Sequence, residues 1–375
     1  MRITIAPDSF KGSLPANEVA RAISEGIKAR VPEAQLHICP MADGGEGTAA
    51  VLLAKGASRV PVTVVDAAGS PNEGYWVRYG HIAVVEAAVG SGYRPHAESG
   101  NDTTSLGTGQ LIAHALNDSQ VEEVYVALGG TGCTDGGIGL MYALGAVARD
   151  GEGQALSPTG SSLGQVRTVS LCRPSKPIIG LYDVASPLCG PYGAVRMFGP
   201  QKGIAARDLQ PMDEDMARYA RLVEKVVGHD YAGVAGAGAA GGMGFAILAM
   251  GGELRPGAAQ VAEWTGFYEA LDETDWVITG EGRIDAQTLQ GKVVGWIASQ
   301  AQQHHIPAVA LVGGRGHGAE ALYSHGLAMI YPILDGPLSL EDAIGQTPHL
   351  LRDAAGHVAL TLQQWHNTLN LLPRR

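Results

Sequence analysis

The chain is short of cysteine, of positive charge and of long apolar runs, and each shortage narrows what it can be. Its 375 residues include four cysteines, Cys39, Cys133, Cys172 and Cys189, far apart and without a Cys-x-x-Cys pair. Buried, reduced thiols in a cytoplasmic protein are the expected reading. Lys and Arg number 26 against 37 Asp and Glu, for a net charge of −11. Such a chain is repelled by nucleic acid and by anionic membrane surfaces, so neither is expected as a partner. The first apolar run ends at Asp8, too soon for a signal peptide. Only Tyr231–Gly252 lacks charge over a long stretch. It is mostly Gly and Ala, and it reads as a buried glycine-rich loop entering a helix rather than a membrane span.

Several familiar motifs are missing. There is no Gly-x4-Gly-Lys-Ser/Thr, because Gly291-Lys292 is followed by Val293. There is no His-Glu-x-x-His, no Gly-x-Ser-x-Gly and no protein-kinase signature. Gly236-Ala-Gly238-Ala-Ala-Gly241 matches Gly-x-Gly-x-x-Gly, but no clear strand precedes it. Glu253 is too near to be the acidic partner of a dinucleotide fold. An NAD-dependent dehydrogenase is thus poorly supported. The loop is either a nucleotide or substrate loop or a place of tight helix packing. His304-His305 fits a helix C-terminus better than a metal site.

Glycine is what the chain has in excess, with 53 residues, about twice the average usage. It clusters in short loops, where the backbone takes unusual angles or approaches a ligand. At this length two domains are expected. Arg2–Ala6, Leu36–Cys39, Trp276–Thr279, Ala308–Val312 and Met329–Leu334 read as strands. Helical patterns lie between them at 17–30, 291–303 and 319–325, with two more helices after the last strand. Both chain ends thus form one doubly wound parallel-sheet α/β domain, residues 1–63 plus 273–375. Residues 64–272, with strand-like runs at 82–87, 124–128 and 178–182, form a second α/β domain inserted into the first.

Asp43-Gly44-Gly45-Glu46-Gly47 and Asp135-Gly-Gly-Ile-Gly139 each place an acidic residue in a glycine cluster before a helical stretch. Converging backbone N–H groups and a helix N-terminus suit a phosphate, and the carboxylate suits Mg²⁺. The plainer alternative is an Asp-Gly turn that caps a helix. Thr279-Gly-Glu281-Gly-Arg283-Ile-Asp285 follows a strand directly, as Asp8 and Lys11 follow the first strand. In a doubly wound fold the ligand crevice lies at such strand ends. Asp8, Lys11, Asp43, Glu281 and Asp285 are therefore expected on one rim.

Ile5-Ala-Pro-Asp8-Ser-Phe-Lys11-Gly-Ser, Pro40-Met-Ala-Asp43-Gly-Gly-Glu46-Gly-Thr48, Phe198-Gly-Pro-Gln-Lys202-Gly and Thr279-Gly-Glu281-Gly-Arg283-Ile-Asp285 together resemble the hallmark loops of the type 1 glycerate kinases of bacteria. The order and spacing are kept from residue 1 to about 370. The resemblance implies a flavodoxin-like domain carrying an inserted α/β domain, with the active site in the cleft between them. It implies ATP, Mg²⁺ and D-glycerate, with 2-phosphoglycerate as product, in the breakdown of sugar diacids and glyoxylate; 3-phosphoglycerate is the alternative. It leaves a homodimer compatible with the sequence. Asp8 or Asp183 then orients or deprotonates the attacking hydroxyl, and Lys11 offsets charge on the γ-phosphate. Asp43, Glu46 or Asp285 holds Mg²⁺. Arg283, Ser186 and Lys202 contact substrate, with Arg283 on the glycerate carboxylate. Gly44, Gly45, Thr131, Gly132, Asp135, Gly238 and Gly241 form phosphate-binding loops. A sensor that binds glycerate without turnover is a rival that the retained Asp and Lys residues disfavour. Two positions depart from the usual family pattern: Cys133 in Gly129-Gly-Thr131-Gly-Cys133-Thr134-Asp135, and Ser186, where an amide is usual, after Asp183.

Overall fold

A computed structural model describes residues 1–93 and 101–371. Met1–Asp43 with Ala258–Arg375 forms one compact unit and Gly44–Gly257 another. Each has its own buried hydrophobic cluster. The boundaries expected at 63/64 and 272/273 fall instead at 43/44 and 257/258. The reason is strand pairing: Ser58–Val65 pairs along its whole length with Pro71–Tyr79 and so belongs to the inserted unit.

The first unit holds five strands in the order Leu327–Pro332, Ala308–Arg315, Trp276–Ile284, Arg2–Ile5, Gln35–Ile38. All neighbours are parallel. Counted along the chain this is the order 2-1-3-4-5 of flavodoxin-like sheets, with its switch point between Arg2–Ile5 and Trp276–Ile284. Ile3, Ile5, Ile278, Val309 and Leu311 are fully buried, as strands covered on both faces require. The strand from Trp276 runs on to Ile284, beyond the expected end at Thr279. Glycine allows this extension. A Cβ at Gly280 would collide with the carbonyl oxygen of Leu311 on the next strand.

The helix Ala16–Arg30 follows Pro15 and buries Val19, Ile23 and Ile27, the stripe its spacing predicts. It packs on Leu340–Leu371, one helix of 32 residues where two were expected. Pro348 lies inside that helix without ending it. The buried series Leu350, Leu351, Ala354, Ala355, Val358, Ala359 and Leu362 holds the helix to the core. The two helices approach closely at Gly26, where a Cβ would collide with the carbonyl oxygen of Arg352. Gly26→Ala is expected to overpack this crossing and cost about 1–3 kcal/mol. A lower urea midpoint with an unchanged m-value checks this. His304 ends the helix Val293–Gln303, and His305 takes a left-handed φ of 57°, in keeping with a terminus rather than a metal site.

The inserted unit has a six-stranded sheet in the order Glu253–Pro256, Ile178–Tyr182, Glu123–Ala127, Ile82–Glu86, Pro71–Tyr79, Ser58–Val65. The first four are parallel, and the last two form an antiparallel hairpin at the edge. Pro61 is tolerated because its strand is the outer one. The stretch Tyr231–Gly252 leads into the buried helix Met243–Ala249. No helix among the described residues is long and apolar enough to cross a membrane.

Candidate active site

In the first unit the chain leaves the sheet at its switch point. Pairing continues past the first strand: Ala6 N–H donates to Ile278 O and Asp8 N–H to Gly280 O, both at 2.8 Å. Met41 N–H donates to Pro7 O at 2.9 Å and brings Asp43 to the same rim. The next residues form a tight turn. Phe10 N–H donates to Leu14 O, Leu14 N–H to Phe10 O, and Gly12 takes a φ of 79° in open space. Lys11 sits at the exposed tip of that turn. Ser13 Oγ donates to Ile344 O at 3.0 Å and ties the turn to the C-terminal helix.

These elements surround a cavity of about 510 Å³. Asp8, Asp43 and Glu281 line it, at 6%, 8% and 7% exposure. Lys11, Arg283, Lys292 and Arg315 line it too, and Ile333, Leu334, Leu340 and Ile344 form an aliphatic wall. Burial and the Asp43 charge push Asp8 up to about 7, although Ser9 N–H donates to its Oδ1 at 2.6 Å. Glu281 is raised as well, chiefly by burial, while Lys292 and a hydrogen bond from Thr288 Oγ1 at 3.0 Å act the other way. Three crowded carboxylates, two of them reluctant to ionise, face four cations: the arrangement can bind a polyanion and shift a proton near neutral pH. Four of the five residues expected on this rim line the cavity. Asp285 is the exception. Its side chain accepts from Gln287 N–H and caps a short 3₁₀ segment in a capping box with Thr288. That side chain therefore has a structural task of its own beside the rim. Lys292 enters from the N-cap of the helix Val293–Gln303 and Arg315 from the end of its strand; the Gly313-Gly314 pair before Arg315 was the available signal for the latter.

The inserted unit has a second cavity of about 500 Å³, lined by Thr131, Asp183, Gln201, Lys202, Ala240 and Gly241 among others. Lys202 is 9% exposed, and its Nζ donates to Thr131 Oγ1 at 3.2 Å and Cys133 O at 2.8 Å. Burial lowers its pKa. A buried ammonium held by neutral acceptors suits a small anion. Ala240 takes a left-handed φ of 52° at this cavity, a conformation that costs a non-glycine residue about 1 kcal/mol. Asp183 lies at the cavity, directly after the strand Ile178–Tyr182. Ser186 does not line it; its carbonyl accepts the Gly238 N–H at 3.0 Å.

The glycine loops expected to cradle phosphate are largely occupied by the protein itself. Asp135 is fully buried and accepts from Ser105 N–H, Ser105 Oγ, Gly137 N–H and Gly139 N–H at 2.7–3.1 Å. It organises the turn that starts the helix Ile138–Ala143. Asp135→Ala strands those donors and is expected to cost about 2–4 kcal/mol in urea unfolding; wild-type stability would make it a ligand residue again. The Gly47 and Ala49 N–H groups, at the start of the helix Thr48–Ala54, donate to Glu86 Oε1 at 2.9 and 2.8 Å. Glu86, buried and raised by that burial, was not singled out from the sequence; its place at the end of an apolar strand was the only clue. Glu46, a candidate metal ligand, is exposed near the start of this unit. Gly132 N–H donates to Ser91 O. A Cβ at Gly44 would meet Gly257 Cα at 2.5 Å, and one at Gly129 would meet Gly45 Cα at 2.7 Å. Gly238 and Gly241 allow equally close approaches, to Pro187 O and Cys133 O. No strand precedes Gly236, so the dinucleotide alternative loses its structural context. Among the described residues, no group of three or more His, Cys, Asp or Glu is arranged to hold a metal by itself.

The sequence matches the glycerate kinase family over residues 3–363. The chain belongs to this family. A glycerate kinase from Halalkalibacterium halodurans is 36% identical over 98% of this chain and 99% of its own length. A glycerate 2-kinase from Escherichia coli K12 is 35% identical over 96% and 98%. A solved structure of a candidate glycerate kinase 2 from Salmonella typhimurium LT2 superposes with a TM-score of 0.85 at 36% identity, covering 98% of this chain and 99% of that one. Family membership also puts the departure at Cys133 in context. The thiol is fully buried and pushed up to about 12 by that burial, and the residue serves Lys202 through its carbonyl, which any residue supplies.

Proposed function

We propose that this member of the glycerate kinase family transfers the γ-phosphoryl group of ATP to D-glycerate and yields 2-phospho-D-glycerate. The observation that carries the reading is the convergence of Asp8, Asp43 and Glu281 with Lys11 in one cavity at the switch point of the sheet. Phosphoryl transfer asks for charge neutralisation and positioning rather than covalent chemistry, and this set supplies both. Asp8, held near neutrality, accepts the proton of the attacking hydroxyl. Lys11 stands against the charge that develops on the transferred group. The name of the Escherichia coli relative supports attack by the 2-hydroxyl.

Mg²⁺ fits the donor set. Asp43 raises the pKa of Asp8, a like-charge conflict that a cation would relieve. Kinases hold this ion by one or two carboxylates together with phosphate oxygens, so no all-protein cage is needed. Asp43, with Glu281, would hold it, and the bound ion would neutralise phosphate charge. In the inserted unit, the Lys202 ammonium and the Thr131 hydroxyl receive the carboxylate of glycerate, and Asp183 orients its hydroxyl groups. A cytoplasmic placement goes with the use of ATP. A coupled assay for ADP tests the proposal. Release that requires D-glycerate and stops with excess EDTA is expected; no glycerate-dependent release at millimolar substrate would overturn it.

A further inference from the structure

The two cavities differ in charge and in apolar surface, and the difference sorts the two substrates. The first-unit cavity carries Lys11, Arg283, Lys292 and Arg315 against three carboxylates, an excess of cations inside a chain of net charge −11. The inserted unit's cavity carries one lysine and one aspartate. A triphosphate brings about four negative charges and glycerate one, so the polyanion belongs in the first. That cavity also has an aliphatic wall with no use for glycerate, a three-carbon acid without an apolar face. Leu340 is 78% exposed and Ile344 40% exposed at its edge. Large aliphatic side chains kept in water beside a charged cavity indicate a ligand with a flat apolar part.

Resting on the phosphoryl-transfer reading, we propose that the first-unit cavity is the nucleotide site. The triphosphate lies toward Lys11 and Lys292, and the adenine ring packs on Ile333, Leu334, Leu340 and Ile344. This gives Arg283 the phosphates rather than the glycerate carboxylate, and it moves the nucleotide away from the glycine loops of the inserted unit. Three features fit. The cavity volume lies in the range of small-molecule sites. Phosphates bind at the switch point of flavodoxin-like sheets. The Ser13–Ile344 hydrogen bond joins the turn that carries Lys11 to the helix that carries the wall, so the two ends of one ligand would be held by one connected piece.

The test is Ile344→Asp, with Leu340→Ser as a second variant at a position too exposed to threaten folding. Both are assayed for KM of ATP and KM of D-glycerate with Mg²⁺ present, and for direct binding of a fluorescent N-methylanthraniloyl-ATP. The KM for ATP and the analogue's Kd are expected to rise about tenfold or more in Ile344→Asp and less in Leu340→Ser. The KM for glycerate should stay near wild type. Unchanged ATP and analogue binding in both variants would overturn the assignment, as would a rise confined to glycerate. A change in sedimentation mass with unchanged ATP binding would give the wall to a second copy of the chain and would also overturn it. Failure of the underlying reading looks different: the wild type would then release no ADP with glycerate.

Discussion

Lys11→Ala lowers kcat by about 10²–10³-fold while leaving the fold intact, the loss typical of removing one group that meets transition-state charge. The fold survives because Lys11 stands exposed at the tip of a turn. That turn is fixed by the Phe10–Leu14 hydrogen bonds and by Gly12. The activity does not survive, because the cation offsets charge beside Asp8 and Glu281, and it lowers the pKa of both. Without it, burial and mutual repulsion push both carboxylates further toward the protonated form. Lys11→Arg keeps the charge and should recover part of kcat; a kcat near wild type in Lys11→Ala would remove this residue from the chemistry.

Asp8→Asn is expected to separate stability from activity. The carboxyl is 6% exposed and raised to about 7 in the folded protein, against an ordinary value of 3.8. The folded state therefore holds the proton more tightly than the unfolded chain. The stability that comes from holding it is fully present below about pH 4 and is lost as pH rises through about 7. At pH 8 the wild type carries a buried charge that the amide lacks. In buffer with EDTA, Asp8→Asn should be more stable than wild type by about 1–3 kcal/mol at pH 8, with the advantage vanishing toward pH 5. In the same variant, kcat should fall by about 10²–10⁴-fold, because the amide cannot accept a proton. A variant that loses stability at pH 8, or that keeps its rate, contradicts the role given to Asp8.

The rim of the first unit was legible in the sequence because strand ends are. A short β-branched run followed by Pro7-Asp8, and another followed by Gly280-Glu281, place their carboxylates by topology alone. What could not be read was which acidic residues face a ligand and which face their own backbone. Asp43 and Asp135 occupy the same local pattern, yet Asp43 lines a cavity and Asp135 is saturated by Ser105, Gly137 and Gly139. The partner that decides this, Ser105, lies thirty residues earlier in the chain. Glu86 is the same lesson in reverse, a carboxylate from a distant strand filling a helix N-terminus that looked ready for phosphate. The edge hairpin was not among the expected strands; it contains Pro61, which only an outer position makes acceptable. Its turn is held by Asp66, whose Oδ1 accepts from Ala68 and Ser70 N–H, a signal visible in Asp66-Ala-Ala-Gly69 had the strand been expected.

The central claim is that this chain phosphorylates glycerate at its secondary hydroxyl, and phosphorus NMR of a reaction with ATP, Mg²⁺ and D-glycerate tests it most directly. As the γ-phosphate signal of ATP disappears, a phosphomonoester signal should grow and, without proton decoupling, split into a doublet from the single proton on carbon 2. A triplet would mean transfer to the primary hydroxyl and contradict the regiochemistry; no phosphomonoester beyond free phosphate would contradict the account itself.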